Sequence, residues 1–349
     1  MQYEELMKKC IMLARQAEGN TSPNPLVGCV ILDKNGKEIS TGFHKKYGEN
    51  HAERDALLKL KNGEEKDGTL VVNLEPCSHF GKTPPCADLI IERGLKKVVI
   101  GMRDVNPIVA GNGIKKLQAA GIEVIENILE DECKRLNEVF IKNMQEHKTF
   151  IAIKTATTLD GKIATSNGSS KWITSEQARN EVKNIRNRYD AIMTTSSTII
   201  ADNPTMEHRK KIILDRELKT DLDAKIYQSG EIYLFYAENK RPPIHQNIKF
   251  IPTPIKDEKL NLDFILKKLY DLKIYSVLIE SGGVFNGTAL EFADKIYHFI
   301  APKITSDNTS RSCFNSRQIN DINNSYNFHI TQINRFGEDI LLTYYPIAK

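Results

Sequence analysis

Hydrophobic and polar positions divide the first part of the chain into alternating helix-like and strand-like segments. Leu6, Cys10, Leu13 and Ala17 recur at helical spacing and predict an amphipathic helix at the start. Further along, the pattern predicts strands at 26–32, 69–74, 97–100 and 122–125, and helices at 51–61, 114–120 and 130–144. Such alternation is typical of α/β domains with helices on both faces of a sheet.

A second series of elements begins at Phe150, after the polar stretch MQEHKT, which we interpret as a linker. The chain is therefore divided into two predicted domains, 1–145 and 149–349. Ser175 is the predicted N-cap of a charged helix at 175–188. The other predicted elements are a helix at 262–272 and strands at 150–156, 191–200, 211–214, 232–236, 276–279, 295–301 and 339–345, the last two as edge or antiparallel strands.

Composition narrows the possible partners. The 349 residues are 40% hydrophobic and carry a formal net charge of +4, which is small and dispersed. We therefore expect neither a nucleic-acid groove nor a membrane-binding face. A few well-placed cations suit a phosphorylated small molecule. The chain shows no signal-peptide core, no long apolar run and no disulfide framework, so we expect a cytoplasmic protein.

Candidate metal ligands form the most informative pattern. The sequence His51-Ala-Glu53 is followed, one helix and one strand later, by Cys77 and Cys86. One imidazole and two thiolates suit tetrahedral zinc and leave the fourth position open, as in catalytic sites. Glu53 is near enough to a ligand to move a proton without ligating, which predicts a zinc deaminase. The alternative is a surface histidine with two unrelated cysteines. Eight residues separate these cysteines, whereas the commoner deaminase motif has two.

Longer motifs in this half are TSPNPLVGCV (21–30), GFH (42–44), HAE (51–53), EPCSHFGKTPPC (75–86), VNP (105–107) and AGNGI (110–114). Together they resemble the bifunctional riboflavin-biosynthesis deaminase/reductase family, which has the long cysteine spacing. The resemblance implies an N-terminal cytidine-deaminase-like αβα domain. It places zinc on His51, Cys77 and Cys86, with Glu53 as the proton shuttle.

The same resemblance implies substrate contacts in the first domain. Asn24 would hold the pyrimidine, the alternative being a plain turn residue. His44, His79 and Lys82 are candidates for base and phosphate contacts, the alternative being ordinary surface residues. The cysteines without ligand spacing are expected to fill space in the core. They are Cys10, Cys29, Cys133 and Cys313.

Motifs in the second half resemble the reductase part of the same family, whose fold is like that of dihydrofolate reductase. They are TLDGKIA (158–164), SKWITS (170–175), TIIADNP (198–204), IESGG (279–283) and IAPK (300–303). No GxGxxG motif follows a predicted strand, so a Rossmann fold is not indicated. The resemblance implies NADPH as the cofactor.

Carried over position by position, the resemblance implies two groups of contacts in the second domain. The NADPH-binding candidates are Thr157, Trp172, Thr198, Asp202 and the turn Gly282, Gly283, Val284, Phe285, Asn286, Gly287 and Thr288. The substrate-side candidates are Lys154, Ser170, Arg186, Met206, Arg209 and Glu280. Without the resemblance, the glycine-rich turn is equally consistent with a phosphate-binding helix start and with a connection that binds nothing. The alternative for Trp172, the only tryptophan, is a partly buried packing residue.

Two features depart from the family pattern. The segment between Pro204 and the strand KIILD is shorter than in the family, which affects the alignment of Met206 and Arg209. Arg216 stands where the family usually has a small polar residue. It either pairs with the 2′-phosphate of NADPH or is solvated.

Together the two halves predict a bifunctional enzyme of riboflavin biosynthesis. The first would hydrolyse the amino group of 2,5-diamino-6-ribosylamino-4(3H)-pyrimidinone 5′-phosphate, and the second would reduce 5-amino-6-(5-phosphoribosylamino)uracil with NADPH to its ribityl form. We expect one Zn²⁺ per deaminase site, a phosphorylated pyrimidine substrate, no nucleic-acid or membrane partner, and a homo-oligomer, either dimer or tetramer. The alternative is a zinc nucleoside or nucleic-acid deaminase with a non-catalytic ligand-binding second domain.

Overall fold

The structure, a computed structural model, describes residues 2–79, 84–106 and 110–347. They fall into two compact units that divide between His147 and Lys148. Among the described residues, no helix combines the length and the apolar composition that a membrane crossing requires.

The first unit contains a five-stranded sheet with the spatial order β2-β1-β3-β4-β5. Its strands are β1 (Gly28–Leu32), β2 (Glu38–Phe43), β3 (Thr69–Leu74), β4 (Lys97–Met102) and β5 (Glu123–Ile125). β1 runs antiparallel to β2 and β3, whereas β3, β4 and β5 are parallel. Its helices are α1 (Gln2–Arg15), α2 (Ala52–Leu57), α3 (Cys86–Glu92), α4 (Asn112–Ala119), α5 (Glu130–Leu136) and α6 (Glu138–Glu146).

The core of this unit lies on both faces of the sheet. Every residue of β1 is buried, and so is every residue of β3 and β4 after the first. Since successive side chains point to opposite faces, continuous burial requires cover on both sides. Helix α1 contacts α5, and α3 contacts both α2 and α4, so the helices form two groups.

The predictions for the first unit are confirmed in part. β3 has the predicted bounds, and β4 and β5 lie at the predicted places, whereas β2 and α3 were not predicted. The predicted helix 130–144 is divided at Asn137, whose buried side chain bonds to Leu26 instead of lying on a helix surface. The Leu26 N–H donates to Asn137 Oδ1 at 2.7 Å, and Asn137 Nδ2 donates to the Leu26 carbonyl at 3.0 Å. These bonds satisfy backbone groups just before β1.

The second unit contains a nine-stranded sheet with the order β11-β10-β9-β8-β14-β6-β15-β18-β17. The strands are β6 (Phe150–Thr158), β7 (Lys162–Ala164), β8 (Ala191–Thr195), β9 (Lys210–Leu214), β10 (Glu231–Ala237), β11 (Ile248–Thr253), β12 (Ile255–Lys256), β13 (Lys259–Leu260), β14 (Ser276–Ile279), β15 (Lys295–Ala301), β16 (Arg311–Ser312), β17 (Phe328–Phe336) and β18 (Asp339–Pro346). The helices are α7 (Glu176–Asn187), α8 (Ser196–Asp202), α9 (Leu262–Asp271) and α10 (Gly283–Ala289).

Seven strands of the large sheet, from β11 to β15, are parallel. β18 is antiparallel to β15 and to β17, and two short strand pairs, β12–β13 and β7–β16, lie outside the sheet. Hydrophobic clusters cover both faces, because Ile212 of β9 belongs to one cluster and its neighbour Ile213 to the other. Buried parallel strands of this kind confirm the predicted α/β class.

Two predictions for the second unit need correction, and one is confirmed. The predicted strand 191–200 ends at Thr195, and the next residues form α8, in which Ile199 is buried and Ile200 is exposed. Strand 295–301 was predicted as an edge or an antiparallel strand. It is not an edge strand, because it lies inside the sheet between β6 and β18, but its pairing with β18 is antiparallel as predicted. Ser175 is the N-cap of α7, since its Oγ accepts from the Ala178 N–H at 3.3 Å.

Candidate functional site

Three side chains of the first unit converge at one point. His51 immediately precedes α2, Cys77 lies three residues after β3, and Cys86 is the first residue of α3. His51 Nδ1 lies 3.6 Å from Cys77 Sγ and 3.5 Å from Cys86 Sγ, and the three potential ligand atoms lie within 4.8 Å of one another. The structure therefore brings together the three residues that the sequence nominates as zinc ligands.

The donor set fits zinc. Two sulfurs and one imidazole nitrogen are ligands that zinc prefers, and three ligands leave a position open. Contact with the neighbouring Cys86 lowers the pKa of Cys77, while contact with Cys77 together with burial raises the pKa of Cys86. Two adjacent thiols thus do not both ionise without added positive charge. A divalent cation on these three residues would supply that charge.

Glu53 lies beside this cluster with its carboxylate buried. It is 3% exposed, and its Oε2 has no hydrogen-bond partner among the described residues. Burial, followed by the negative charge of Cys77, raises the pKa of Glu53 to about 7. A carboxyl group in this state can take up and release a proton near neutral pH, as a general acid–base group must.

Asn24 and His44 form a pair next to the ligand cluster. His44 Nδ1 lies 2.9 Å from the Asn50 carbonyl, which only accepts, so Nδ1 carries the proton. Burial lowers the pKa of His44, so the ring is neutral and Nε2 accepts from Asn24 Nδ2 at 3.1 Å. The His44 ring also contacts His51 edge-on, with the ring centroids 5.6 Å apart. Asn24 therefore directs its amide nitrogen toward His44 and keeps its oxygen available for another donor.

The remaining deaminase candidates are less well defined. His79 is exposed. Burial raises the pKa of Asp104 to about 6, and a positive charge on His79 would act against this rise. Lys82 lies outside the described residues. Glu75 was not among the predicted site residues, although its place in the EPC motif, next to a ligand turn, was a signal. In the structure it is buried and bonds to four backbone N–H groups.

In the second unit, three charged candidates meet at the carboxyl edge of the large sheet. Arg186 donates to Glu280 through Nε at 2.5 Å and through a terminal nitrogen at 3.0 Å, and Lys154 Nζ lies 3.7 Å from the same carboxylate. Burial alone would raise the pKa of Glu280, but the charges of Arg186 and Lys154 outweigh it and hold the pKa below its ordinary value. Burial lowers the pKa of Lys154. The structure therefore groups Lys154, Arg186 and Glu280.

A cluster of hydroxyl groups lies at the ends of β8 and β14. Ser281 Oγ is 3.0 Å from Thr195 Oγ1 and 3.3 Å from Thr198 Oγ1. Of these, only Thr198 was a predicted contact, although Ser281 immediately precedes the predicted glycine turn. Thr157 is buried, and its hydroxyl lies 2.8 Å from Nε2 of His298, which was also not predicted.

The predicted glycine-rich turn is helix α10 after Gly282, which is the N-cap residue, and its glycines differ in their surroundings. A Cβ on Gly283 would lie 1.9 Å from the Ser312 carbonyl, and one on Gly287 would lie 2.8 Å from Ser316 Oγ, so packing explains both glycines. Gly282, in contrast, faces open space. Asn286 is fully buried with an unpartnered Oδ1. Of the other turn residues, Val284 is exposed, Phe285 packs against the core, and Thr288 bonds back to Val284.

Ser170 and Trp172 line a cavity of about 370 Å³ beside β7. Trp172 is 63% exposed, which contradicts the alternative of a partly buried packing residue. The guanidinium of Arg179 lies 4.3 Å from the centre of its ring, and Lys303 Nζ donates to its carbonyl at 2.8 Å. The indole therefore stands at a cavity wall, where it is accessible to a ligand.

The other candidates of the second unit have different surroundings. Met206 is buried in a hydrophobic cluster with Ile192 and Ile213, and Arg209 is exposed before β9. Asp202 ends α8. Arg216 donates to the Glu258 carbonyl and pairs with Glu217 at 2.8 Å, so its guanidinium already has protein partners.

Comparisons with known proteins agree on one family. A model described as the RibD C-terminal domain matches residues 149–342, and one described as the cytidine and deoxycytidylate deaminase zinc-binding region matches residues 1–102. The riboflavin biosynthesis protein RibD of Actinobacillus pleuropneumoniae is 39% identical, with 99% of this chain and 95% of that protein covered. The protein of the same name from Aquifex aeolicus is 38% identical, with 96% of each covered.

A solved structure is similar over its whole length. It is the diaminohydroxyphosphoribosylaminopyrimidine deaminase/5-amino-6-(5-phosphoribosylamino)uracil reductase of Thermotoga maritima. That chain is 37% identical, with a TM-score of 0.88 and 99% of both chains covered.

The ligand cluster predicts which cysteines hold metal. Replacing Cys86 with Ala removes one of three ligands, so zinc measured by mass spectrometry should fall from about one per chain to nearly none. Cys133→Ala is the matched control, because Cys133 is a buried thiol of the same unit that is not in the cluster. Equal zinc in wild type and Cys86→Ala would contradict the ligand assignment.

Proposed function

Because the chain belongs to the RibD family of riboflavin biosynthesis, and is thus a bifunctional zinc-dependent deaminase and NADPH-dependent reductase, we propose how its two halves divide the chemistry. Residues 1–145 form the deaminase domain, and residues 149–349 form the reductase domain. The family assignment confirms the predicted folds of the two domains. It also excludes the alternative that the second domain is non-catalytic. The observation that supports deamination in the first domain is the convergence of His51, Cys77 and Cys86 beside the buried Glu53.

The proposed first substrate is 2,5-diamino-6-ribosylamino-4(3H)-pyrimidinone 5′-phosphate. Water adds to the amino-bearing ring carbon, and ammonia leaves, so the net reaction exchanges an amino group for a carbonyl oxygen. Zinc, when bound by the three ligands, supplies Lewis-acid activation of water. Glu53 takes the proton from the attacking water and gives it to the leaving amine. Its burial and its pKa near 7 support this role.

Asn24 and His44 are proposed to hold the pyrimidine. The hydrogen bond from the Asn24 amide nitrogen to neutral His44 fixes the direction of that amide. Its oxygen is then presented as an acceptor for a ring N–H or amino group. Because His44 contacts His51, this acceptor lies beside the ligand cluster. His79 and Lys82 remain candidates for the phosphate.

The proposed second reaction adds a hydride to C1′ of the deaminated ribosylaminouracil phosphate, with one proton to balance it. NADPH supplies the hydride. Glu280 fixes the positions of Arg186 and Lys154 by its ion pairs, so two cations face the substrate side at fixed positions. Lys154, whose pKa is lowered by burial, is the proposed proton donor. The hydroxyl cluster of Thr195, Thr198 and Ser281, with open space at Gly282, suits the polar part of the cofactor.

We also propose that the chain is a cytoplasmic homo-oligomer, either a dimer or a tetramer. All six cysteines are free, as a reducing compartment favours. β17 is the last strand of its sheet, and its seven central residues are exposed on both faces. They include Ile330 and Ile333, which are 57% and 66% exposed. A long unprotected edge strand with apolar side chains favours pairing with a second copy.

Substitution of Glu53 separates the two activities. Glu53→Gln keeps the size of the side chain but cannot accept the proton, so deamination should fall by about 10²–10⁴-fold while zinc stays bound. Supplied with the deaminated intermediate, the same variant should oxidise NADPH at close to the wild-type rate. The two rates are measured as ammonia release and NADPH absorbance. Loss of both activities in a folded variant would contradict the division between domains.

The single tryptophan provides a direct measure of cofactor binding. If Trp172 borders the cofactor, NADPH should quench tryptophan emission in a saturable titration by energy transfer to the nicotinamide. Unchanged emission during active turnover would refute a cofactor contact at Trp172.

The preference between the two nicotinamide cofactors tests Arg216. If Arg216 leaves Glu217 and faces the 2′-phosphate, NADH should bind about ten- to a hundred-fold more weakly than NADPH, and Arg216→Gln should abolish the difference.

The oligomer proposal is tested by sedimentation velocity. Placing a charge in an apolar interface is costly, so Ile333→Glu should shift the protein toward the monomer. Ile322→Glu is the control, because Ile322 is 83% exposed but lies outside β17. An unchanged sedimentation coefficient for Ile333→Glu would exclude β17 as the contact surface.

A further inference from the structure

Glu75 is a buried acid with no basic side chain paired to it among the described residues. It follows the last residue of β3 and is 3% exposed. Its backbone N–H donates to the Met102 carbonyl at 3.0 Å, which extends the pairing with β4 one residue past the end of β3. A carboxylate in such a place requires strong hydrogen-bond donors to offset its burial.

Four backbone N–H groups supply those donors. Oε1 accepts from Gly113 at 3.0 Å and from Ile114 at 3.3 Å. Oε2 accepts from Gly111 at 3.0 Å and from Asp104 at 3.2 Å. The first two amides belong to the first turn of α4, where N–H groups have no partner within the helix and negative charge is favourable. One side chain thus connects the segment after β4, which is residues 103–106, to the start of α4.

The turn that carries Cys77 packs against α4 and bonds to α3. A Cβ on Gly113 would lie 2.1 Å from the Pro76 carbonyl, so α4 lies directly against the residue before the ligand. The Cys77 carbonyl in turn accepts from the Ala87 N–H at 3.1 Å. Helix α4 therefore packs against Pro76, and the next residue, Cys77, is hydrogen-bonded to α3.

Asp104 lies in the segment after β4, and its Oδ1 accepts from the Asn106 N–H at 2.8 Å. Its own N–H is one of the four that Glu75 binds. Through this bond, the segment after β4 is attached to a residue two positions before the ligand Cys77.

We propose that Glu75 is a positioning residue of the deaminase site, which holds the segment after β4 and the start of α4 against the Cys77 turn and so preforms the substrate side. The proposal rests on the deaminase function proposed above. Since Glu75 binds backbone groups and is not one of the three ligands, its loss should weaken substrate binding more than the chemical step, and the metal should stay.

Glu65 provides a matched control for a purely structural role. It is a fully buried carboxylate of the same unit, and it pairs with Arg93, which follows the last residue of α3. Cys86 is at the other end of that helix. Glu65→Gln thus removes a buried charge of the same kind without altering the segments that contact Glu75.

The experiment compares Glu75→Gln and Glu65→Gln in the full-length zinc-loaded protein. A glutamine amide places an NH₂ group against two of the four N–H donors. Hydrogen exchange of the Gly111, Gly113 and Ile114 amides should therefore accelerate at least tenfold in Glu75→Gln only. Its KM for deamination should rise roughly tenfold or more, with a smaller change in kcat, zinc retained and reductase activity unchanged. Glu65→Gln should lower the melting temperature and leave KM unchanged.

Several results would overturn the proposal. An unchanged KM in Glu75→Gln, an equal rise of KM in both variants, or loss of zinc in step with activity would each assign Glu75 to the fold alone. If the glutamine variant does not fold, Glu75→Asp decides, because it retains the charge and should give an intermediate rise in KM. A wild-type protein that does not deaminate the substrate would refute the proposed function, whereas the exchange rates test Glu75 independently of turnover.

Discussion

Parallel strands end at a common edge, so the residues that follow them collect there, and both sites of this protein depend on that constraint. In the first unit β3 is followed by Glu75 and Cys77, and the neighbouring β4 by Asp104. In the second unit, β14 is followed by Glu280 and Ser281, beside the end of β8. Buried strands hold this edge rigidly, so polar groups that would be costly in the core meet in fixed geometry at its border.

Much of the fold could be predicted because the buried strands are short apolar runs bounded by turn residues. The errors occurred where local pattern and tertiary context disagree. Residues 196–202 are rich in β-branched side chains, which favour strands, but they form a helix that buries Ile199 and exposes Ile200. The break at Asn137 depends on bonds to Leu26, more than a hundred residues away, and no local signal could reveal it.

The site could be predicted as a set of residues but not as an arrangement. The spacing of His51, Cys77 and Cys86, supported by the family resemblance, identified the candidate ligands, because metal binding restricts residue types strongly. The tautomer of His44 follows from a backbone carbonyl, which has no sequence signature. Similarly, Met206 matched a family position, yet its side chain is part of the hydrophobic core in this structure. The four donors of Glu75 are backbone groups, and their positions depend on the fold.

The order of strands along the chain has a consequence for synthesis. The sheet of the first unit uses strands that all lie between residues 28 and 125, so every pairing partner has left the ribosome early. The large sheet is different, because β15 (Lys295–Ala301) lies inside it and one of its two neighbours is β18 (Asp339–Pro346). A chain interrupted before residue 339 would therefore contain a complete first sheet and a second sheet in which β15 is unpaired along one side. Exposed strand edges of this kind promote association between nascent chains.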